Sequence, residues 1–548
     1  MSKLVIPPAA KGPKTLRIAA VVLAAICLLP MVAVAIAALT GGGDTLVHLA
    51  ETVLSRYTKT TVLLVLLVSV GTLMIGTGAA WLVTMAQFPG RKLLEIALVI
   101  PLAFPAYVLA YAYTHLLDHP GIVQSTLRDV TGWGARDYWF PEIRSVGGAA
   151  AMLILVLYPY VYLLARAAFL QQSATSFLAA RALGKTPWQA FLRVSIPMAR
   201  PAIASGVLLA VMETIADFGT VAYFGVQTFA TGIYTSWFSL GDRAGAAQLA
   251  SGILMVALVL AVLERTSRGR AKYHDSSKRQ EPMAAIELKG WAKWGATTLC
   301  VIPVLLGGVL PALALLIMSF GSEQNLFSSR YISFAVNSVT LAAVAAMVTL
   351  AAAVVLGYLQ RLDDGPLSQI STSIARLGYA VPGGVIAVGL MVPFANFDNA
   401  LDAWMRETFD VSTGLLVTGS IWLLVAAYMI RFLAAALGAY EGGQVAVNAN
   451  MDMASRALGQ TALGTLRRVH FPILRPSLLT ALLIVFVDVM KELPATLILR
   501  PFNYDTLAVQ AYRLASDERL EGAAVPSLVI VAIGLLPVVL ICRQVRRR

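Results

Sequence analysis

Four carboxylates lie inside stretches of this chain that are otherwise apolar. Glu213 and Asp217 stand four residues apart, and Asp488 and Glu492 repeat that spacing 275 positions later. Residues i and i+4 of a helix share a face, so the spacing predicts that each pair projects from one side of its own helix. Ionisable groups at such depth normally face a bundle interior, a partner or a water-filled path. A path lined by four acids is negative and suits a cation, and oxygen ligands in particular suit hard cations. A second reading is internal pairing, in which Lys491, Arg200 or Arg475 neutralises some of the acids and ties helices together. The acids outnumber Lys491, the single base inside the same stretches, and that favours the path.

The elements that must hold these groups follow from composition. Hydrophobic residues make up 58% of the 548 and charged residues only 13%, with a mean hydropathy of +0.76, far from a soluble domain's balance. Apolar runs long enough to cross a hydrocarbon core of about 30 Å as helices fall at 16–39, 61–85, 95–116, 147–170, 202–224 and 246–263. Six more fall at 296–319, 334–359, 377–394, 415–438, 477–498 and 525–542. Their Ala/Val/Leu runs fit helices better than the ~10-residue alternating strands of a barrel. The first run starts basic and contains Ala33-Val34-Ala35, the outline of a cleavable signal, but about 24 apolar residues are too many for one. It is read as a retained helix. The expected fold is an all-α polytopic membrane protein of about twelve transmembrane helices.

The two sets of six match each other. With a shift of 277, Pro105 corresponds to Pro382 and Ala80-Trp81-Leu82 to Gly357-Tyr358-Leu359. The expected organisation is a first repeat over 1–263, a cytoplasmic linker over 264–293 and a second repeat over 294–548. An even number of spans in each makes the repeats parallel about an axis along the membrane normal, where a pathway is expected.

Orientation follows the distribution of Lys and Arg in short loops. The N-terminus carries Lys3, Lys11, Lys14 and Arg17, Arg181, Lys185, Arg193 and Arg200 occupy the 171–201 loop, and Arg543, Arg546, Arg547 and Arg548 are the last basic residues. Loops of opposite parity are acidic, as in Asp398, Asp402, Glu407 and Asp410 against Arg406. Both termini and both repeated loops are therefore expected in the cytoplasm. The net charge of +13 then expresses topology, and nucleic acid is not an expected partner.

The repeated loops carry the sharpest pattern. Ala179-Ala180-Arg181-Ala182-Leu183-Gly184 leads through Val194-Ser195-Ile196-Pro197 to Arg200-Pro201. At the same intervals, Ala454-Ser455-Arg456-Ala457-Leu458-Gly459 leads through Val469-His470-Phe471-Pro472 to Arg475-Pro476. A helix, a glycine able to take the left-handed conformation at its end and a second short helix before the proline predict a helix-turn-helix across the membrane face. Two copies at identical spacing predict two equal docking surfaces, at 171–201 and 439–476, rather than only a pair of interfacial helices.

These residues resemble the cytoplasmic loop of permeases of binding-protein-dependent ABC importers, whose pattern is E-A-A, three residues, G, nine residues, I-x-L-P. Gly184 and Gly459 take the glycine position, Ala179-Ala180 and Ala454-Ser455 the Ala-Ala, and Pro197 and Pro472 the closing proline. Leu178 and Met453 stand where the pattern has Glu, with Asp452 adjacent. The resemblance implies a multi-pass protein of the bacterial inner membrane whose two loops, through Arg181 and Arg456 among others, dock two copies of a cytoplasmic ABC ATPase. It implies a periplasmic substrate-binding protein as a further partner, ATP on the ATPase subunit and no cofactor on this chain. Lys491-Glu492-Leu493-Pro494-Ala495-Thr496 and Ala216-Asp217-Phe218-Gly219 look like the fused permeases of ferric-iron importers. Tyr223, Tyr234 and Tyr504 could then add phenolate oxygens or form an interfacial aromatic belt. Importers of thiamine and polyamines share the architecture and remain alternatives for the cargo.

Other classes find less support. The chain has no G-x-x-x-x-G-K-[ST]: Gly184-Lys185-Thr186 has its tail, but Ala179 replaces the first glycine. No H-E-x-x-H or G-x-S-x-G signals an enzyme, and His115, His119, His274 and His470 are scattered as loop or interface residues. Cys27, Cys300 and Cys542 lack metal-ligand spacing. An ion-driven secondary transporter would use the acids as proton relays, but it needs no pair of ATPase docks.

Overall fold

Eleven helices of the computed structural model are long and apolar enough to cross a membrane, and a bent pair raises the number to as many as twelve among the described residues. These are residues 13–546 apart from 42, 135, 171, 173–179, 181, 270–285, 323–327 and 364. Ala179, Arg181, His274 and most of the 264–293 linker therefore lie outside the described residues.

The bent pair corrects the expected third span. Arg91–Ala103 and Ala106–Thr131 meet at 94° instead of forming one helix through 95–116. Pro105 causes the break: it has no N–H to donate and pushes the residue before it to extended backbone, and Phe104 has ψ 131°. Pro105 then starts the helix Ala106–Leu117. Pro382 acts alike, with Val381 at ψ 122° before it and the helix Gly383–Phe409 after it. The matched prolines begin helices rather than lying within them.

By contacts the chain divides into two compact units that do not follow sequence order. One comprises Met1–His48, Ile233–Leu258 and Asn325–Val509, the other Leu49–Gly232, Val259–Gln324 and Gln510–Arg548. In the first unit Lys14–Thr40 packs on Gly383–Phe409, and Ser329–Leu362 packs on Ile421–Gln444. In the second, Leu310–Phe320 packs on Leu520–Arg546 and Ser55–Met85 on Val146–Leu170. The opening span of each sequence half thus sits in the unit built mainly from the other half.

Helices in lipid gain little from excluding water from one another and associate through close backbone approach. A Cβ on Gly389 would lie 2.3 Å from the Pro30 carbonyl oxygen, and one on Gly534 would lie 2.5 Å from that of Ala103. The only strands among the described residues are Ala86–Gln87 and Ile286–Glu287, which pair in parallel.

Candidate functional site: two docking loops and two helix breaks

The described turns of the two loops share their main backbone features. Gly184 has φ 80° and Gly459 φ 76°, the left-handed conformation expected of them. The following residue closes each helix end, Lys185 N–H to Ala180 O at 3.1 Å and Gln460 N–H to Ser455 O at 3.1 Å, the long bond of a Schellman end. A threonine caps the next helix in each copy: Gln189 N–H donates to Thr186 Oγ1 at 3.2 Å and Gly464 N–H to Thr461 Oγ1 at 3.1 Å.

One widened, π-helical turn follows in each, Phe191–Ser195 and Leu466–His470. It comes directly before Pro197 and Pro472. In a continuous α-helix a proline ring meets the carbonyl four residues back, and the wider turn relieves that clash without ending the helix. The second arm is therefore not a separate short helix. It is the start of a continuous span, Trp188–Ala216 in one copy and Ala462–Met490 in the other, so the runs read as beginning at 202 and 477 begin earlier.

Each loop leaves the same apolar positions uncovered. Leu183 is 81% exposed and Leu458 80%, while Trp188 is 56% exposed and Leu463 57%. Ala180, Ala454, Ser455 and Arg456 lie on the preceding helical arm, with Ser455 buried and bonded to Thr465 at 2.8 Å.

The carboxylate pairs depart from expectation at their second members. The helix that carries Glu213 ends at Ala216, and Asp217 is already extended at ψ 128°. The helix that carries Asp488 ends at Met490, two residues before Glu492. The pairs therefore do not share a helix face, and the runs read as 202–224 and 477–498 are each interrupted. Both breaks have one geometry, with Phe218 at φ −115°, ψ −45° and Leu493 at φ −115°, ψ −48°. Short helices then resume, Gly219–Tyr223 and Pro494–Leu499.

A helix restarted at membrane depth begins with N–H groups that have no partner of their own and no water to take them. Asp217 and Glu492 supply the acceptors. Thr220 Oγ1 donates to Asp217 Oδ1 at 2.9 Å and Val221 N–H to Oδ2 at 3.1 Å. Ala495 N–H donates to Glu492 Oε1 at 3.0 Å, and Thr496 donates to Oε2 through its N–H at 3.2 Å and its hydroxyl at 3.0 Å. These contacts make this member of each pair the acceptor for its restarted helix; none of them is the neutralisation by Lys491, Arg200 or Arg475 that the second reading expects.

The copies differ in charge. Glu492, 5% exposed, has Arg431 Nη1 at 3.7 Å, and Gly383 makes room for both: a Cβ there would lie 2.5 Å from each. Among the described residues Asp217 has no ion pair. Asp488 is bound to Lys491 at 2.9 Å, and Glu213 is half-buried one turn before its break. Arg200 and Arg475 are exposed and reach none of the four acids among the described contacts. Sequence reasoning passed over Arg431; its signal was a lone guanidinium in the middle of the 415–438 run.

Two further readings change. Tyr223 and Tyr234 are buried, at 8% and 6% exposure, rather than forming a belt. Tyr223 packs edge-on against Tyr111, Tyr234 donates to the Pro494 carbonyl, and the Tyr504 hydroxyl donates to Asn337 O at 3.1 Å. His470 is no loop residue: it is fully buried and bonded to Asp452 at 2.6 Å. Cys27 and Cys300 are free thiols.

Comparison with known proteins accounts for the duplication. The profile of the family described as "Binding-protein-dependent transport system inner membrane component" matches residues 72–266 and again 350–548. The Fe(3+)-transport system permease protein FbpB 2 of Haemophilus influenzae is 25% identical over 486 residues, covering 88% of this chain and 88% of that protein. The ferric transport system permease protein FbpB of Actinobacillus pleuropneumoniae is 23% identical over 468 residues, 81% of this chain and 64% of that protein. The molybdenum transport system permease protein ModB of Escherichia coli is 29% identical over 202 residues, 35% of this chain and 85% of ModB.

Proposed function

The chain belongs to the binding-protein-dependent transport system inner membrane component family, and from that premise we propose that it is the fused, two-copy permease of an ATP-driven importer of ferric iron. In this reading a periplasmic binding protein delivers Fe3+ at the outer face. Two copies of a cytoplasmic ABC ATPase dock on the 171–201 and 439–476 loops, both termini are cytoplasmic, and ATP is hydrolysed on the partner. Hydrolysis shifts the permease between inward-open and outward-open states.

The observation that carries the docking reading is the matched exposure of Leu183 with Leu458 and Trp188 with Leu463. The charge pattern supports a place for these loops in cytoplasmic water, where repeated exposed apolar side chains suit a protein partner. Each loop runs directly into the helix that carries Glu213 or Asp488 and ends at a break. Load on a loop is thereby passed to Glu213 and Asp217, or to Asp488 and Glu492.

Ferric iron is supported by the functions named for two relatives that span most of this chain. It is also supported by the oxygen-only character of Glu213 and Asp488, which suits a hard cation. In the proposed path Glu213 and Asp488, one turn before each break, face the cargo, while Asp217 and Glu492 hold the broken helices open. ModB matches over the length of a single repeat and supports the architecture rather than the cargo.

Uptake of radiolabelled Fe3+, with thiamine and spermidine in parallel, in cells with and without this gene tests the proposal. Loss of iron uptake alone, dependent on ATP, is the expected result. Loss of an organic cation instead would keep the importer and overturn the cargo. Uptake that survives ATP depletion and collapses with the proton gradient would overturn both in favour of a secondary transporter.

A further inference from the structure

We propose that Asp452 is a positioning residue that fixes the second docking loop rigidly to the membrane helix Ser329–Leu362, through a charged cluster whose residues the first half of the sequence does not repeat. The inference rests on the docking reading above.

Asp452 lies on the helix Ala449–Ala457, one place before Met453, where the related loop pattern has its Glu. Its carboxylate points into the protein. Arg361, near the end of Ser329–Leu362, donates to Asp452 Oδ2 through Nε at 2.8 Å and to the Val447 carbonyl through Nη2 at 2.7 Å. His470, from the widened turn of the second arm, meets Asp452 Oδ1 at 2.6 Å. Tyr358, one turn before Arg361, packs edge-on against His470 and donates its hydroxyl to Ala462 O at 2.6 Å. One transmembrane helix therefore grips both arms of the loop through directional contacts around a single carboxylate.

At the corresponding positions of the first half stand Phe177 and Ser195 for Asp452 and His470, and Thr84 and Trp81 for Arg361 and Tyr358. None of these can form the charged cluster. There Trp81 lies 4.6 Å from Phe191 and 6.1 Å from Trp188 between ring centroids, and Gln172 Nε2 donates to Ser195 O at 2.8 Å. An apolar stack tolerates sliding, whereas an ion pair hydrogen-bonded at fixed angles has one geometry. Movement of an ATPase on the second loop is thus transmitted directly to Ser329–Leu362.

The test uses the whole permease in membranes with its ATPase and binding protein, comparing Asp452→Asn, Arg361→Gln and the exchange Arg361→Asp with Asp452→Arg. Two quantities are read: ATPase bound to the permease, and ATP hydrolysis stimulated by the loaded binding protein. Asp452→Asn and Arg361→Gln are expected to bind the ATPase as the unmodified chain does, yet to lose stimulation on the order of tenfold. The exchanged pair is expected to recover stimulation only in part, since His470 then faces a guanidinium and the Val447 carbonyl loses its donor. Unchanged stimulation in Asp452→Asn would overturn the proposal. So would a parallel loss of binding and stimulation that the exchange does not recover, since Asp452 would then only fold the docking surface. Failure of the docking reading itself looks different, because the unmodified chain would bind no ATPase.

Discussion

Asp217 and Glu492 each accept the opening hydrogen bonds of a short helix, but only Glu492 also faces a guanidinium. Truncating the two should therefore have unequal effects. Asp217→Ala strands hydrogen-bond donors, about 1–3 kcal/mol, whereas Glu492→Ala also strands the Arg431 charge, about 3–5 kcal/mol. Thermal unfolding of the purified permease should fall further for Glu492→Ala; equal shifts would contradict the assigned pairing. A second residue-scale consequence concerns pH. The Arg144 hydrogen bonds, at 2.7 and 2.8 Å, hold the Glu518 carboxyl below its usual range. A depressed carboxyl contributes its stability above the ordinary Glu value near about 4.3 and loses it as pH falls through the lower folded value. Amide protection of the 517–521 turn should drop as pH is lowered below about 4, and should lose that pH dependence in Arg144→Gln. An identical acid profile in that variant would contradict the pairing.

Among the elements, the loops were legible because backbone chemistry is written in residue types. A glycine at a helix end and a proline thirteen residues on permit few conformations, and the φ of 80° and 76° follow. The first break was not legible, because hydropathy averages over a window and Phe218 is as apolar as its helical neighbours, whereas Pro494 marks the second. What interrupts those helices is a carboxylate folding back onto the next N–H groups, which no periodicity records. The widened turns were hidden for the same reason: Pro197 and Pro472 read as helix stops, yet π turns carry the helix past them. Proline cannot adopt a positive φ, so Gly184→Pro or Gly459→Pro must distort its loop. Each should uncouple ATP hydrolysis from transport while the protein remains in the membrane. Full transport in either would contradict the docking role of that loop.

For the whole molecule, duplication was legible at once from the 275-residue recurrence, whereas the exchange of opening spans was not, since hydropathy carries no record of which helices touch. Because Met1–His48 packs with Asn325–Val509, and Val259–Gln324 with Leu49–Gly232, neither sequence half contains all of either unit. Expressed alone, a half cut within 270–285 should be degraded, and the two halves together should restore a stable permease. A stable single half would contradict the interleaved packing. The central claim, two docking surfaces on one chain, is tested most directly by the mass of the detergent-solubilised complex with its ATPase. The account predicts two ATPase copies on the unmodified permease, and one on either Leu183→Asp with Trp188→Asp or Leu458→Asp with Leu463→Asp. Two copies retained when all four positions are changed together would contradict it.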